Sequence, residues 1–339
     1  MAEGAGGLAS VGETSSGGAP SGGSAGVDGT YVPDPSWACG MPEGIVDPTR
    51  GELVFHTVIS IGPVRDVGAT PYGHRRFTDL QAGAIEEEQL SATFLAGGLD
   101  FELTLDNGTS EVEQVAMLRA TDGSYIYLRS CGLAPAGAQV ARFVADFEVA
   151  NQSSLSWLNT GKFVGTRSVD ATKNEMELSV YDVTDVQGDD AVVQWSDPEG
   201  VPDQPWECLK LSGAQGSAVF TETVGIGSSQ SVGASKRGTR NVIPITGGTV
   251  SGRFTGEVVP AGADFQITSG QATLDARYVL DSDDGEFVIV RNCGPFGALV
   301  PLFEARSDGP YDFLNENRFL SSDPGGASGG VSITFYEIN

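Results

Sequence analysis

The stretch Lys236–Gly294 decides the fold, and it reads KRGTRNVIPITGGTVSGRFTGEVVPAGADFQITSGQATLDARYVLDSDDGEFVIVRNCG. Short segments of β-branched and aromatic residues alternate in it with Gly and Asp-Gly turns. This pattern is typical of antiparallel strands joined by tight turns. A weaker copy runs from Tyr72 to Gly132. The chain is therefore predicted to contain two versions of one β-module.

Landmarks that recur in the same order along the two halves indicate a tandem duplication. The matched pairs are Gly73-His-Arg75 with Gly238-Thr-Arg240, Leu99-Asp-Phe101 with Ala263-Asp-Phe265, Asp122-Gly123 with Asp284-Gly285, Phe147-Glu148 with Phe303-Glu304, and Leu158-Asn159 with Leu314-Asn315. Because the order and the approximate spacing are both kept, chance similarity is not a serious competitor.

The length of 339 residues predicts about two domains. We expect a Gly/Ser-rich disordered tail or tether over residues 1–30, because such a composition cannot bury apolar surface. A diverged first module is expected over 31–196 and the second module over 197–339. The join between them is acidic, turn-rich and contains Pro.

The fold class predicted for both modules is all-β. Strands of about five to nine residues follow one another without a sustained helical period. Closure into a barrel removes exposed strand edges, so each module is predicted to be an antiparallel β-barrel or a strongly bent sandwich. Short helical turns are expected within Leu155–Phe163 and Tyr311–Phe319, and the two modules are expected to pack on each other.

The composition excludes several classes of partner. A formal net charge of −26 disfavours binding to nucleic acid and to anionic membranes, because both would be repelled. No apolar run reaches the length of a transmembrane helix, and the N-terminus lacks the pattern of a signal peptide. The only histidines, His56 and His74, are too few for a histidine-based metal site, so neither a metal nor a cofactor is expected.

The four cysteines occur as two equivalent sets. Trp-Ala-Cys39 and Trp-Glu-Cys208 match each other, as do Arg-Ser-Cys131 and Arg-Asn-Cys293. Of the three possible connectivities, Cys39–Cys131 with Cys208–Cys293 obeys the repeat and keeps each bond inside one module. Disulfides would indicate an extracytoplasmic protein, whether secreted, periplasmic or surface-tethered. The alternative is four buried free thiols in the cytosol.

The second module resembles the family known as domain of unknown function 3237. The motifs that carry the resemblance are Ile243-Pro-Ile-Thr-Gly-Gly248, Gly256-Glu-Val-Val-Pro260, Gly262-Ala-Asp-Phe-Gln266, Ala276-Arg-Tyr278, Asp284-Gly285 and Phe303-Glu304. The first module looks like a diverged member, with Val115-Ala116 in place of Arg277-Tyr278 and Glu102 in place of Gln266. The resemblance implies a ligand-binding barrel and supplies little chemistry.

Strand alternation selects the candidate site residues. Asp264 and Gln266 share one face of their strand, while Arg277 and Tyr278 point to opposite faces of theirs. A buried arginine needs a partner, and Asp264 is the expected partner of Arg277 or Arg291. The same reasoning pairs Asp100 with Arg129 in the first module.

These residues suggest three functions. The first is a binding module that holds a small, apolar or aromatic molecule in the second barrel. The second is a cofactor-independent isomerase, cyclase or lyase with Asp264 as base and Arg277 or Tyr278 stabilising charge. The third is a non-catalytic surface or structural protein in which the ion pairs only fix strand register. The candidate ligand contacts are Gln266, Arg240, Arg291 and Glu304.

Overall fold

The computed structural model describes residues 47–186, 208–316 and 318–339. Apart from three short 3-10 helices, at Pro48–Arg50, Ser156–Asn159 and Asp312–Glu316, the regular structure of these residues is entirely β. The all-β prediction is therefore confirmed, as are the helical turns expected before Phe163 and Phe319. The predicted tail, the module boundary near residue 197 and the first cysteine, Cys39, lie outside the described residues.

The first module is a closed antiparallel barrel. Its strands are β1 Glu52–Ile61, β2 Arg65–Thr70, β3 Gly73–Glu86, β4 Ser91–Phe94, β5 Gly98–Thr104, β6 Ser110–Ala120, β7 Tyr125–Ala134, β8 Val140–Glu148, β9 Phe163–Asp170 and β10 Glu175–Asp182. The sheet runs β1-β10-β9-β8-β7-β6-β4-β3-β2, and β1 also pairs with β3, which closes the circuit.

The second module repeats this order in a bent sheet. Its strands are β11 Gln215–Ile226, β12 Gln230–Ser235, β13 Gly238–Gly252, β14 Gly256–Val258, β15 Ala263–Ser269, β16 Gln271–Ser282, β17 Phe287–Pro295, β18 Val300–Ala305, β19 Phe319–Ser321, β20 Gly325–Ala327 and β21 Gly330–Ile338. The sheet runs β18-β17-β16-β14-β13-β11-β21-β19.

The two modules differ at one seam. In the first module, β8 and β9 pair over a six-residue register from Val140 to Ala145. Their counterparts β18 and β19 are the first and last strands of the described sheet order. Between them, the Ser321 amide donates a hydrogen bond to the Leu299 carbonyl at 3.1 Å. The second barrel is therefore less tightly closed than the first.

Aromatic side chains fill much of the second core. The Phe220 ring lies 4.9 Å from the Phe335 ring and 5.7 Å from the Phe303 ring, measured between centroids. All three are almost fully buried. In the first module the corresponding space is packed by Phe55, Phe147 and neighbouring apolar residues. Each module thus has its own hydrophobic core, as expected for independent copies of one fold.

A third apolar cluster joins the modules, which confirms that they pack on each other. It combines side chains of both modules: Val67, Phe77, Leu99, Phe101, Val115, Met117 and Tyr127 with Val232, Val242, Val259, Ala261, Ala263, Phe265 and Val279. Within it, Tyr127 contacts Phe265 with ring centroids 5.4 Å apart. Because the cluster draws equivalent positions from each half, the contact has approximate two-fold character.

Polar contacts repeat the same two-fold relation. Glu304 accepts from Arg75 Nε at 2.8 Å and from the Thr70 hydroxyl at 2.6 Å. In the mirror position, Glu148 accepts from Arg240 Nε at 3.2 Å and from the Ser235 hydroxyl at 2.6 Å. Arginine and glutamate from equivalent strands therefore exchange partners between modules, in the manner of an isologous dimer contact.

Gly262 is a position in this contact that requires glycine. Its φ is +87°, and an added Cβ would lie 2.0 Å from the Arg277 carbonyl oxygen. Its amide donates across the module boundary to the Gly97 carbonyl at 2.7 Å. A side chain at position 262 would strain the backbone and push this segment away from Arg277 of β16.

Candidate functional site

The interior of the second module holds a cavity of about 190 Å³. Most of its wall is apolar, with contributions from Val224, Ile245, Leu274, Leu299 and Ile333. The polar side chains in the lining are few: Asp264, Gln266, Tyr278 and Asn292. A largely apolar cavity with a small number of placed polar groups is the usual form of a small-molecule site.

Strand alternation explains which residues face the cavity. On β15, Asp264 and Gln266 point inward, whereas Phe265 belongs to the cluster between the modules. On β16, Tyr278 points inward and its neighbour Arg277 points outward. Alternation separated Arg277 from Tyr278 without deciding which of them faces inward, and the structure brings Asp264, Gln266 and Tyr278 to one cavity.

Exposed apolar side chains mark where the cavity meets the surface. Ile226 is 43% exposed and Phe296 is 54% exposed, and both line the cavity. Leu299 and Pro324 contribute from the seam next to β18 and β19. The less complete closure of the second barrel therefore lies beside the entrance.

Asp264 is the ionisable side chain on the cavity wall. Its Oδ2 accepts from Gln266 Nε2 at 2.7 Å and its Oδ1 accepts from the Asp275 backbone amide at 3.1 Å. Burial raises the pKa of Asp264 to about 6, against the opposing effect of the hydrogen bond from Gln266. Near neutral pH this carboxyl is therefore poised to accept a proton, which is what a general base requires.

Glu222 and Tyr278 form a buried pair next to the cavity. The Tyr278 hydroxyl donates to Glu222 Oε2 at 2.8 Å, and the Glu222 side chain is fully buried. Burial raises the pKa of Glu222 to about 8, so it is a neutral carboxylic acid at pH 7. Burial, reinforced by Glu222, also raises the pKa of Tyr278 well above its ordinary value.

Two buried oxygens near this pair lack partners among the described residues. They are Oε1 of Glu222 and Oδ1 of Asn292, whose side chain is 2% exposed. Asn292 uses its Nδ2 to donate to the Ser321 hydroxyl at 2.8 Å. Since buried polar atoms are nearly always hydrogen-bonded, these two oxygens are exceptions within the described core.

Arg277 does not reach the cavity. Its guanidinium contacts Glu113 of the first module and Asp275 of its own strand. Asp275 also accepts from Arg291 Nε at 2.8 Å. Asp264 was the expected partner of one or other of these arginines; the structure gives both of them Asp275 instead, because Asp275 shares their outward face and Asp264 faces inward.

The electrostatics of this cluster are those of a tight ion network. Although burial alone would raise the pKa of Asp275, the charges of Arg277 and Arg291 hold it far below its ordinary value. Burial would lower the pKa of Arg277, but Asp275 and Glu113 raise it above its ordinary value. Asp275 and Arg277 therefore stay ionised over the whole physiological range.

Arg240 and Glu304, two further candidate ligand contacts, lie in the module contact and not in the cavity. Arg240 pairs with Glu148 and stacks 4.6 Å from the Tyr127 ring centroid, and Glu304 pairs with Arg75. Beside them, Glu304, Arg277 and Arg291 line a separate space of about 70 Å³ between the modules. That space is smaller than the barrel cavity and is bordered by charges that are already paired.

The first module fills the equivalent interior position with an ion pair. Asp100, the counterpart of Asp264, accepts from Arg167 Nε at 3.0 Å and from Gln114 Nε2 at 2.8 Å. The expected pairing with Arg129 is therefore wrong, because Arg129 donates to Glu113 on the opposite face. A polar pocket of about 610 Å³ lies next to this ion pair and is bordered by Asp100, Glu102 and Arg167.

The second-module disulfide is present in the structure. Cys208 and Cys293 are bonded, with their Cα atoms 5.3 Å apart. The predicted partner of Cys131 lies outside the described residues. In the described part of the chain, no group of three or more His, Cys, Asp or Glu side chains is placed to hold a metal ion. No helix within those residues is long and apolar enough to cross a membrane.

The sequence patterns did not identify Glu222 or Asn292 as candidate site residues. Glu222 lies in a β-rich segment between Phe220 and Val224, which both point inward. A lone acid on an otherwise apolar strand face is a signal that could have identified it. Asn292 lies between Arg291 and Cys293, which both face away from the cavity. Strand alternation, which points Asn292 to the opposite face, is the signal that could have identified it.

Comparison with known proteins assigns a family. The family described as protein of unknown function (DUF3237) matches residues 49–183 and 215–298, which together exceed half of the chain. The two matched stretches correspond to the two modules, with the first match ending near the end of β10 and the second beginning at β11.

The curated relatives that match this chain are described as UPF0311 proteins. A UPF0311 protein of Bradyrhizobium diazoefficiens is 41% identical over 97 residues, which is 28% of this chain and 64% of that protein. A UPF0311 protein of Rhodopseudomonas palustris strain TIE-1 is 39% identical over 115 residues, or 31% of this chain and 75% of that protein. This chain thus spans less than two thirds of the Bradyrhizobium relative.

A solved structure of a beta-barrel like protein from Acinetobacter baumannii is similar to part of this chain, with a TM-score of 0.35 and 20% sequence identity. The matched region covers 39% of this chain and 94% of the Acinetobacter chain. From the family match over both modules, the chain belongs to the DUF3237 family of proteins of unknown function and carries that domain twice in tandem.

Proposed function

We propose that the second module binds a small, neutral organic molecule in its barrel cavity. The observation that carries this proposal is the cavity itself: about 190 Å³, walled mostly by aliphatic side chains and reached past exposed Ile226 and Phe296. An apolar protein cavity of about 150 Å³ is known to bind benzene. A single aromatic ring or an aliphatic group of similar size therefore fits here.

The charges around the cavity favour a ligand without a negative charge. The ionisable groups at the wall and just behind it are acids, Asp264 and Glu222, and the described lining includes no Lys or Arg. An anionic ligand would meet these carboxyls without a compensating cation, at a high cost in free energy. The net charge of −26 adds a long-range repulsion of the same sign.

Toluene is a suitable probe, and isothermal titration calorimetry measures its binding. Ala276 lines the cavity, so Ala276→Phe should occupy the space and abolish toluene binding. Ala214, which is exposed and distant from the lining, provides the matched control as Ala214→Phe. The proposal expects binding by the wild type and by the control only. Absence of toluene binding by the wild type, or equal binding by both variants, would overturn it and favour a purely structural role.

A second candidate function is cofactor-free proton transfer, and the position of Asp264 favours it. This carboxyl lies on the cavity wall with a pKa of about 6, within the range useful to a general base. In an isomerase or lyase reaction it would remove a proton α to a carbonyl and return it. Arg277, expected to stabilise the developing charge, lies outside the cavity, so in this proposal Tyr278 takes that role by turning its hydroxyl proton from Glu222 to the substrate oxygen.

Hydrogen exchange tests this second function without knowledge of the natural substrate. Cyclohexanone in D₂O exchanges its α-protons when a base removes a proton and a deuteron returns. Wild-type protein should accelerate this exchange, followed by NMR, and Asp264→Asn should remove the acceleration. Equal rates in the two proteins, or no rate above buffer, would exclude Asp264 as a base for this class of compound.

We also propose that the protein works in an oxidising compartment outside the cytoplasm. Its support is the Cys208–Cys293 disulfide. Protein isolated from its own host in the presence of an alkylating agent, without reductant, should yield the Cys208–Cys293 cross-linked peptide. Recovery of both cysteines as alkylated thiols would contradict this location.

A further inference from the structure

Two buried side chains at the second-module cavity each leave an oxygen without a hydrogen-bond partner among the described residues: Asn292 lines the cavity, and Glu222 lies behind the lining residue Tyr278. Glu222 is fully buried and Asn292 is 2% exposed, yet Glu222 Oε1 and Asn292 Oδ1 find no partner in the described part of the chain. A buried polar atom without a partner lowers stability, and a native protein retains one where a function requires it.

The existing hydrogen bonds decide what each free atom offers. The Tyr278 hydroxyl donates to Glu222 Oε2, so the proton of the neutral Glu222 carboxyl belongs on Oε1. Oε1 is then a donor. Asn292 donates through Nδ2 to Ser321, which leaves its Oδ1 as an acceptor. The cavity end therefore presents one donor and one acceptor.

Sheet register places these groups around the same space. Tyr278 pairs with Val290 and Ala276 with Asn292, so Tyr278 and Asn292 are diagonal neighbours on one inward face. Glu222 reaches Tyr278 from β11, at the inward position next to Val224, which lines the cavity. Tyr278, on the cavity wall, therefore has Glu222 as its hydrogen-bond partner and Asn292 as its diagonal neighbour, and these three side chains form the polar end of the cavity.

We propose that this polar end recognises a single hydroxyl group on a neutral, ring-sized ligand, such as a phenol or a cyclic alcohol. One hydroxyl satisfies both atoms at once, because its oxygen accepts from Glu222 Oε1 and its proton is donated to Asn292 Oδ1. A ketone would satisfy only the donor and a hydrocarbon neither. The inference rests on the proposed function, since it names the ligand class of the same cavity.

Phenol and toluene are the probes, because they differ by a hydroxyl in place of a methyl group. The measured quantity is the ratio of phenol affinity to toluene affinity, compared between wild type and variants. The free energy of removing each probe from water is the same for every protein, so it cancels in this comparison. Glu222→Leu removes the donor and should lower this ratio about 10-fold while toluene still binds. Glu222→Gln keeps an N–H donor at the same place and should preserve the ratio within about threefold.

Asn292→Leu tests the acceptor separately and should lower the ratio in the same direction. Toluene binding with an unchanged ratio in both leucine variants would overturn the hydroxyl assignment and leave the proposed function standing. Failure of both probes to bind the wild type would overturn the proposed function and this inference together. Circular dichroism and toluene binding show whether each variant is folded; if a leucine variant is not, Glu222→Met or Asn292→Ala replaces it, with the same expected fall in the ratio.

Discussion

Replacing Glu222 by Gln is expected to change how folding stability depends on pH. Burial raises the pKa of Glu222 from its ordinary 4.5 to about 8. Above pH 4.5 the unfolded chain releases this proton, while the folded chain holds it up to about pH 8. The folded state therefore has its full relative stability below pH 4.5 and loses it progressively as the pH rises to 8. At 1.36 kcal/mol per pKa unit, the loss is roughly 5 kcal/mol.

Gln cannot titrate, so Glu222→Gln should not suffer this loss. Urea unfolding of wild type and variant at intervals between pH 4.5 and 8.5 gives the free energy of unfolding of each. The difference between them should move by roughly 5 kcal/mol in favour of the variant across this range. Other titrating groups are common to both proteins and cancel. Glu257→Gln, at an exposed position, is the control and should run parallel to wild type. A Glu222→Gln curve within about 1 kcal/mol of parallel would refute the assignment of a buried neutral acid.

Three further predictions concern stability, and urea unfolding measures each. Arg240→Met should lower the free energy of unfolding by about 3–5 kcal/mol, because Glu148 stays buried with its ion pairing weakened; a loss under 1 kcal/mol would contradict this. Asp275→Asn should cost a similar amount, since two guanidinium groups then face each other without their shared carboxylate, and an unchanged midpoint would speak against it. Reduction of Cys208–Cys293, whose cysteines have a sequence separation of 85, should cost about 4–5 kcal/mol by chain entropy, and equal stability with and without reductant would count against that figure.

Local pattern was sufficient to predict the fold. Alternation of apolar and polar residues set the strands, and Asp-Gly pairs set hairpin turns; Gly123 and Gly285 adopt φ values of 88° and 81°, as such turns require. Repetition of landmarks then predicted two copies. The opposite orientations of Arg277 and Tyr278 followed from alternation, which depends only on the geometry of a single strand, but which of the two faces inward did not.

The partners of the arginines could not be predicted in the same way. Arg277 meets Glu113 and Arg240 meets Glu148 only because the modules pack with approximate two-fold symmetry. Strand patterns carry no information on which face of one barrel meets which face of the other. Arg167 likewise reaches Asp100 across the interior of the first barrel, through closure of the sheet.

The two modules fill the same interior position in different ways. By strand register, Ala116 of β6 stands where β16 has Tyr278, because Val115 and Arg277 pair with Leu99 and Ala263 at matching positions. The first module fills the remaining space with Arg167 and its ion pair. The second keeps a tyrosine, a neutral acid and an apolar cavity, which is the arrangement expected of the copy that retains a ligand site.

The most direct test of the cavity as a ligand site is a crystal structure of the full chain soaked with bromobenzene, with data collected at the bromine absorption edge. Anomalous scattering locates the halogen without prior assumptions. The account predicts a bromine peak inside the second barrel, among Ile245, Leu274 and Tyr278. A cavity containing only ordered water, with bromine confined to the first module or the surface, would contradict it.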